Sequence, residues 1–580
     1  MVSRSRWGRK AVFGVAAVAI LALSFSATAA FAGAVTFKDA QFSGYSSGTV
    51  AHADLLQMGD SRLVNADEAF TGASVNTAGL PAITNELERV VSPANADKKS
   101  YGRGAGIDVG INQSPSLDGK ILLAGKSESA APPTTNLDTK DLLSGNIPAN
   151  PLLYASLLRG QSRAQWDPDV CPTGDISFGR GSAADVQLLS TTGSNVGDTG
   201  LLDKPLVATD SSIEDQGRTV ASSYSHEFLG PQTNSSGAKI GAPGAFGLTS
   251  EVRMTIAPVT LLKGTPNEFT IEFLGEWVLS AVAGGIPGSA YIHYGPGAVN
   301  PQTPVLSLIR NGVVSRIITL QQILGNEGID IPIPNVADIR VGEDPRALGN
   351  SDPNSTPQVA GDGTSASAAL DVVKVTLLET GSTHAADIRI GHMEVKAQVP
   401  VNGIDCGIPV TKSANPPGVE VSQSFIVSIK IDNPFGCDLT AVRATDDITT
   451  RGDARFEVTG TSPTADTVPA GSNRASGMII WNNIGSIPKG TSKTITTTIK
   501  AEGGGGEIDD VANVSAVLGG CEGQGEGNQM VGKSIKLRVP VVLKLKLPPT
   551  GVGTSTATFL VALTLISLAG VTIRQMRRTA

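Results

Sequence analysis

The chain has 580 residues, of which 17% are charged, with a formal net charge of −8. An acidic balance argues against nucleic-acid binding, which needs a basic footprint, and the length predicts several domains rather than one core. Glycine is abundant (67 residues) and aromatic residues are scarce (4%). That is the profile of many short strands joined by turns, so the expected fold class is all-β.

The first 32 residues read as a secretory signal peptide. Arg4, Arg6, Arg9 and Lys10 precede an apolar stretch from Ala11 to Phe25, followed by the small-residue segment Ala30-Phe31-Ala32. Basic, apolar and small-x-small segments in that order mark export, with cleavage expected between Ala32 and Gly33. The destination is then oxidising, which makes the four cysteines disulfide candidates.

Residues 33–405 are expected to form one large β-rich surface domain, with a division into two subdomains left open. Gly44-Tyr45-Ser46-Ser47-Gly48 fits the spacing of a nucleophile elbow, but an elbow needs a strand before it and a helix after it. No catalytic residue is assigned. Pro81–Val91 has a helical pattern. Ser182–Leu189 and Ser367–Leu378 echo one another, with Gly48–Leu56 as a looser third copy; duplication and chance composition both explain this. Glu268–Leu279 alternates around Phe269, Ile271, Phe273 and Trp277 as a strand. Leu306–Ile318 reads as a hairpin, because Asn311-Gly312 suits a type I′ turn. Leu320–Leu324 looks helical, Asp344–Asp362 looks like an exposed loop, and Leu370–Leu378 and Ile388–Val399 are further strands. The five histidines (His52, His226, His293, His384, His392) form no local zinc motif. They read as ordinary strand or loop residues, and no metal or other cofactor is expected. The layout resembles the actinobacterial surface proteins grouped by variable anchoring tails, a resemblance that names no activity.

Residues 406–543 alternate more cleanly. Val419–Ile431 is a half-buried strand broken by Asn433-Pro434-Phe435-Gly436. Leu439–Ala444, Met478–Trp481, Ser492–Lys500 and Val511–Leu518 follow, and Arg451-Gly452-Asp453 falls in an expected loop. About seven short strands at this spacing fit a Greek-key sandwich. Four cysteines allow three pairings. Cys437 follows the Asn-Pro-Phe-Gly turn and Cys521 follows the last good strand, which favours Cys437–Cys521 and leaves Cys171–Cys406.

The landmarks Val410–Pro416, Ile431–Pro434, Val442–Asp446, Trp481–Gly485, Ile487–Gly490 and Val511–Val514 resemble the conserved-repeat, immunoglobulin-like domain of bacterial surface proteins. The resemblance covers about 130 residues and implies a stalk or spacer. Wall-anchored sandwiches of this kind carry Lys–Asn isopeptide bonds assisted by a buried acid. Lys412, Asn513 and Asp446 occupy suitable strands for one; a solvated lysine and a turn-forming asparagine are the other reading.

The tail, residues 547–580, has three parts. Leu547-Pro548-Pro549-Thr550-Gly551 precedes an apolar run at 557–573, and Arg574, Arg577 and Arg578 follow. Seventeen helical residues rise about 26 Å, enough to span a thin hydrocarbon core with the arginines kept inside. This order resembles the sorting signal of Gram-positive wall-anchored proteins, whose pattern is Leu-Pro-any-Thr-Gly. The resemblance implies that a sortase cuts between Thr550 and Gly551 and joins Thr550 to peptidoglycan. Loss of both ends removes seven basic residues and no acidic ones, taking the net charge from −8 to −15. The expected function is therefore a non-enzymatic surface protein in adhesion, binding or envelope structure, with sortase and peptidoglycan as partners. A host or environmental glycan or protein would be its ligand. The rival is an anchored hydrolase, carbohydrate-active or otherwise, with its site in residues 33–405.

Overall fold

The computed structural model describes residues 34–543 apart from short internal stretches, the longest being 112–121, 144–152, 189–206, 210–220, 342–357 and 521–528. The chain is all-β: apart from the four-residue helix Leu320–Ile323, every described regular element is a strand. Within the described residues no helix is long and apolar enough to cross a membrane. Both ends, with the expected signal peptide and apolar tail run, lie outside them.

Two large sheets from residues 35–405 stack face to face. One runs in the order Ile329–Ile333, Ala337–Val341, Ser365–Leu377, Thr383–Gln398, Ser43–Met58, Ser61–Asn76, Ser100–Ile111 and Leu122–Ala124. The other is built on Ala245–Thr255, Ala221–Pro231, Asp175–Ala184 and Leu157–Ala164, with Glu276–Ala283 also paired to Ala245–Thr255. Along one part of their contact, glycines bring the two backbones together with almost no side chain between them. A Cβ on Gly104 would lie 2.0 Å from the Arg180 carbonyl oxygen, and one on Gly179 would lie 2.0 Å from the Arg103 oxygen. Only glycine lets the two backbones approach so closely. The high glycine count is thus partly a packing requirement. Farther along, Leu248, Val252, Met254, Ile388 and Ile390 fill the interior as larger side chains.

A seven-stranded sheet adjoins this pair and ends in the hairpin Pro304–Arg310/Val313–Thr319. Asn311 and Gly312 both have positive φ (49° and 76°), as a type I′ turn requires. Glu268–Leu279 does not form one strand. Phe269–Phe273 belongs to this sheet, while Glu276–Ala283 belongs to a stacked one. Gly275, at φ 93°, turns the chain between them. Pro81–Val91 is not helical either: Ile83–Thr84 and Val90–Ser92 form a small two-stranded sheet. Between Pro81 and Val91 the residues Asn85, Leu87, Arg89 and Val91 are buried in alternation, so polar anchors replace part of the apolar stripe a helix would need.

Residues 410–542 form a separate eight-stranded sheet system. Asp438–Ser462 and Ser492–Gly519 are long and pair along nearly their whole length, with bulges near Thr440, Gly452 and Val458. The glycine run Gly503–Gly506 continues the strand instead of ending it. Arg451-Gly452-Asp453 lies on the paired strand at a bulge, not in a loop. The core holds Phe425, Ile429, Phe456, Ile479 and Trp481, and Trp481 Nε1 donates to the Pro463 carbonyl at 2.9 Å.

Candidate functional site

The sorting residues Leu547, Pro548, Pro549, Thr550 and Gly551, and the cleavage pair Ala32 and Gly33, lie outside the described residues. The remaining candidate residues fall at two places near the start of the C-terminal sheet system.

The first is the junction. Ile404–Asp405 joins a large sheet, pairing in parallel with Val35–Thr36 and antiparallel with Ala245–Phe246. Cys406 N donates to the Gly244 oxygen at 2.9 Å, and two residues on, Ile408 N donates to the Val531 oxygen at 2.7 Å. The crossing segment is therefore hydrogen-bonded on both sides. Cys171 and Cys406 form a disulfide there, with Cα atoms 5.7 Å apart and a sequence separation of 235. Both sulfurs are buried beside a cleft of about 870 Å³ lined by Phe37, Lys38, Asp405, Arg443, Asn513 and Val531, among others. Cys437 is buried and disulfide-bonded as well; Cys521 lies outside the described residues.

The second place is Lys412. Its side chain is 1% exposed, and Nζ donates to Asp446 and to Asp510. Asn513 is not there. It pairs with Thr445 and Lys533 on the exposed side of its strand and lines the junction cleft. The inward positions of that strand are Asp510, Ala512, Val514, Ala516 and Leu518, so Asn513 is out of phase by one residue. Asp510 occupies the place expected for the asparagine.

Three histidines prove to be organised. Each of His52, His226 and His392 is buried, with both ring nitrogens facing carboxylates. His392 Nδ1 lies 2.7 Å from Asp371 and Nε2 lies 3.0 Å from Glu394. His52 sits between Asp67 (2.8 Å) and Asp54 (3.2 Å). His226 sits between Asp175 (2.8 Å) and Glu251 (3.1 Å). In the first two, one acid is the cross-strand partner and the other is two residues along the same strand. Burial alone would lower the His392 pKa, but the charges and hydrogen bonds of Asp371 and Glu394 together outweigh it and push it up to about 9. Burial works the other way on Asp371, yet the imidazolium draws it down to about 2. Arg89, reaching in from the small two-stranded sheet, pairs with Asp67 and, at 3.3 Å, with Asp108.

These ion pairs are closed units. An imidazole engaged on both nitrogens has no lone pair for general-base work. Ser46, in the elbow-like pentapeptide, lies inside a strand and donates to Glu227 at 2.7 Å; the strand–turn–helix geometry of an elbow is not formed. Burial pushes the Glu227 pKa well above the usual range although Ser250 and Ser46 both donate to it. Among the described residues no group of three or more His, Cys, Asp and Glu is placed to hold a metal.

No protein-family model and no curated protein matches the chain. Among solved structures, one similar chain is the N-terminal domain of the Streptococcus gordonii adhesin Sgo0707, at 8% identity and TM-score 0.15, covering 70% of this chain and 89% of that one. Another is AvmM, described as catalysing macrocyclization in alchivemycin A biosynthesis, at 13% identity and TM-score 0.17, covering 26% of this chain and 92% of that one. Likenesses this slight carry no conclusion about fold or function.

Proposed function

We propose that this chain is a secreted surface protein joined covalently to peptidoglycan, with a non-enzymatic role in adhesion, ligand binding or envelope structure. The observation that carries the reading is the tail: Leu547-Pro548-Pro549-Thr550-Gly551, then an apolar run at 557–573, then Arg574, Arg577 and Arg578. The apolar run halts export with the pentapeptide outside. A sortase cysteine then attacks the Thr550 carbonyl and passes the acyl group to a wall-precursor amine, leaving Gly551 and beyond behind. In this reading residues 1–32 are the signal peptide, 33–405 the ligand-facing domain, and 406–543 an immunoglobulin-like conserved-repeat domain that raises it from the wall.

The buried chemistry of the folded part suits such a role. Several buried carboxylates in the large sheets pair with histidine or arginine within the fold, as Asp371 does with His392 and Asp67 with Arg89, while Glu227 is held by serine hydroxyls. The junction between the two parts is held by a disulfide. Substituting Thr550→Ala tests the reading: the variant is expected in the membrane fraction and absent from purified wall. Equal recovery of wild type and variant from the wall would reject it.

A further inference from the structure

The outward face of one large sheet carries a chain of alternating charges. Arg163 Nη2 donates to Asp175 at 3.2 Å, Asp175 meets His226 at 2.8 Å, and His226 meets Glu251 at 3.1 Å. Arg253 then donates to Glu251 and, at 3.4 Å, to Glu276. Burial alone would lower the His226 pKa, but the hydrogen bonds and charges of Asp175 and Glu251 outweigh it and raise it. With His226 protonated, each positive group in the chain is matched by an acid. Arg180 stands outside this chain. It is exposed, and among the described residues its side chain has no ion pair and no hydrogen bond. Its positive charge is left unbalanced on this face.

Strand register brings Arg180 to a shallow depression. Arg180, Tyr224 and Arg253 stand opposite one another in one cross-strand row, and Ser222, Thr255 and Glu276 stand in the next. The rows are two residues apart along each strand, so they share a face. A depression of about 270 Å³ opens there, lined by these six residues and Phe178. Phe178 braces Tyr224, with ring centroids 5.1 Å apart. Gly179 and Gly181, the alternate residues, lie against the backbone of the other sheet, which holds the floor of the depression rigid. Ser222 and Thr255, like Arg180, have no side-chain hydrogen bond among the described residues.

We propose that this depression binds an acidic sugar, a single saccharide ring bearing one carboxylate. The planar Arg180 guanidinium takes the carboxylate through two parallel N–H donors. Tyr224, half-buried, gives an apolar wall for the C–H face of the ring. Ser222 and Thr255 donate to or accept from ring hydroxyls, and the Glu276 carboxylate accepts from one. Glu276 also disfavours a doubly charged group such as a phosphate monoester. The volume is below the roughly 300–1,000 Å³ of clefts for drug-sized ligands, so one ring fits and the rest of a glycan stays in solvent. An acidic peptide is a poorer match. The strands carrying Arg180, Tyr224 and Arg253 are paired on both sides, which leaves no edge for a peptide backbone to extend. This inference rests on the reading of residues 33–405 as ligand-facing and names the class of ligand.

The test titrates the purified full chain against immobilised oligosaccharides ending in glucuronate or N-acetylneuraminate. Their carboxyl-reduced counterparts, a sulfate-ended sugar and a glutamate-rich peptide are the other probes. The expected result is binding of a carboxylate-ended sugar, weakened at least about tenfold by carboxyl reduction and by Arg180→Ala. Thr255→Val should weaken it less, and Arg180→Ala should leave thermal unfolding unchanged. Undiminished binding by Arg180→Ala overturns the site, although residues 33–405 would still be ligand-facing. Tighter binding of the peptide or the sulfate-ended sugar, lost in Arg180→Ala, overturns the ligand class. A wild type that holds none of the probes overturns the proposal. Anchoring at Thr550 is judged separately, by wall fractionation.

Discussion

Cys171 and Cys406 lie 235 residues apart in sequence and are bonded at the point where the chain leaves the large sheets. Cys406 is followed within two residues by the first hydrogen bond to the C-terminal sheet system, Ile408 N to the Val531 oxygen. The bond therefore fastens the outgoing segment to the interior of the large part. Closing so long a loop restricts the unfolded chain, an effect worth about 2–5 kcal/mol. The double variant Cys171→Ser/Cys406→Ser should lose about that much stability in denaturant unfolding, with residues 410–542 less affected. An unchanged midpoint for the large part would show the bond to be idle.

Stability should depend on pH in a defined window. The folded-state pKa of His392 is raised from 6.5 to about 9, so its contribution is complete below pH 6.5 and is lost as pH rises through 9. That of Asp371 is lowered from 3.8 to about 2, so its contribution is present above 3.8 and lost as pH falls through 2. The urea-midpoint difference between the wild type and His392→Gln should hold from about pH 4 to 6.5 and shrink at alkaline pH, where the wild type loses this pair. Removing one partner of a buried pair should also cost about 3–5 kcal/mol at pH 6. A flat profile up to pH 10 would contradict the ion-pair assignment.

The glycine seam makes a third prediction. Gly104→Ala or Gly179→Ala would place a methyl 2.0 Å from a facing carbonyl oxygen, and the obstacle is backbone, not a side chain that can rotate. Each should destabilise by about 1–3 kcal/mol or more. Gly312→Ala is the control for space, because no atom lies within 4 Å of its added Cβ; its cost should be only that of the positive φ. Thermal unfolding of the three variants separates the two effects. Equal losses would show that the seam is looser than described.

Much of the architecture was legible where alternation and turn chemistry agreed. Asn311-Gly312 announced its hairpin because only certain residues accept two successive positive φ values. Glu268–Leu279 misled because the alternation continues in phase while Gly275 redirects the chain to another sheet. Pro81–Val91 misled because Asn85 and Arg89 are spaced like a helix face, but they are anchors for Ser47, Asp67 and Asp108. The cross-link residues were half visible. Lys412 and Asp446 meet, whereas Asn513 does not, since starting the last strand at Val511 hid Asp510 from the parity of Ala512 and Val514. The histidine pairs left a faint signal in His52-x-Asp54 and His392-x-Glu394, residues that share a sheet face by period two. Their cross-strand acids are set by register, which single-chain spacing does not encode.

The central claim is covalent attachment at Thr550, and the most direct measurement is mass spectrometry of protein released from purified wall by a murein hydrolase. The account predicts a C-terminal peptide ending at Thr550 and carrying a murein fragment. Recovery of the same peptide continuing unbroken through Gly551 to Arg578 would contradict it.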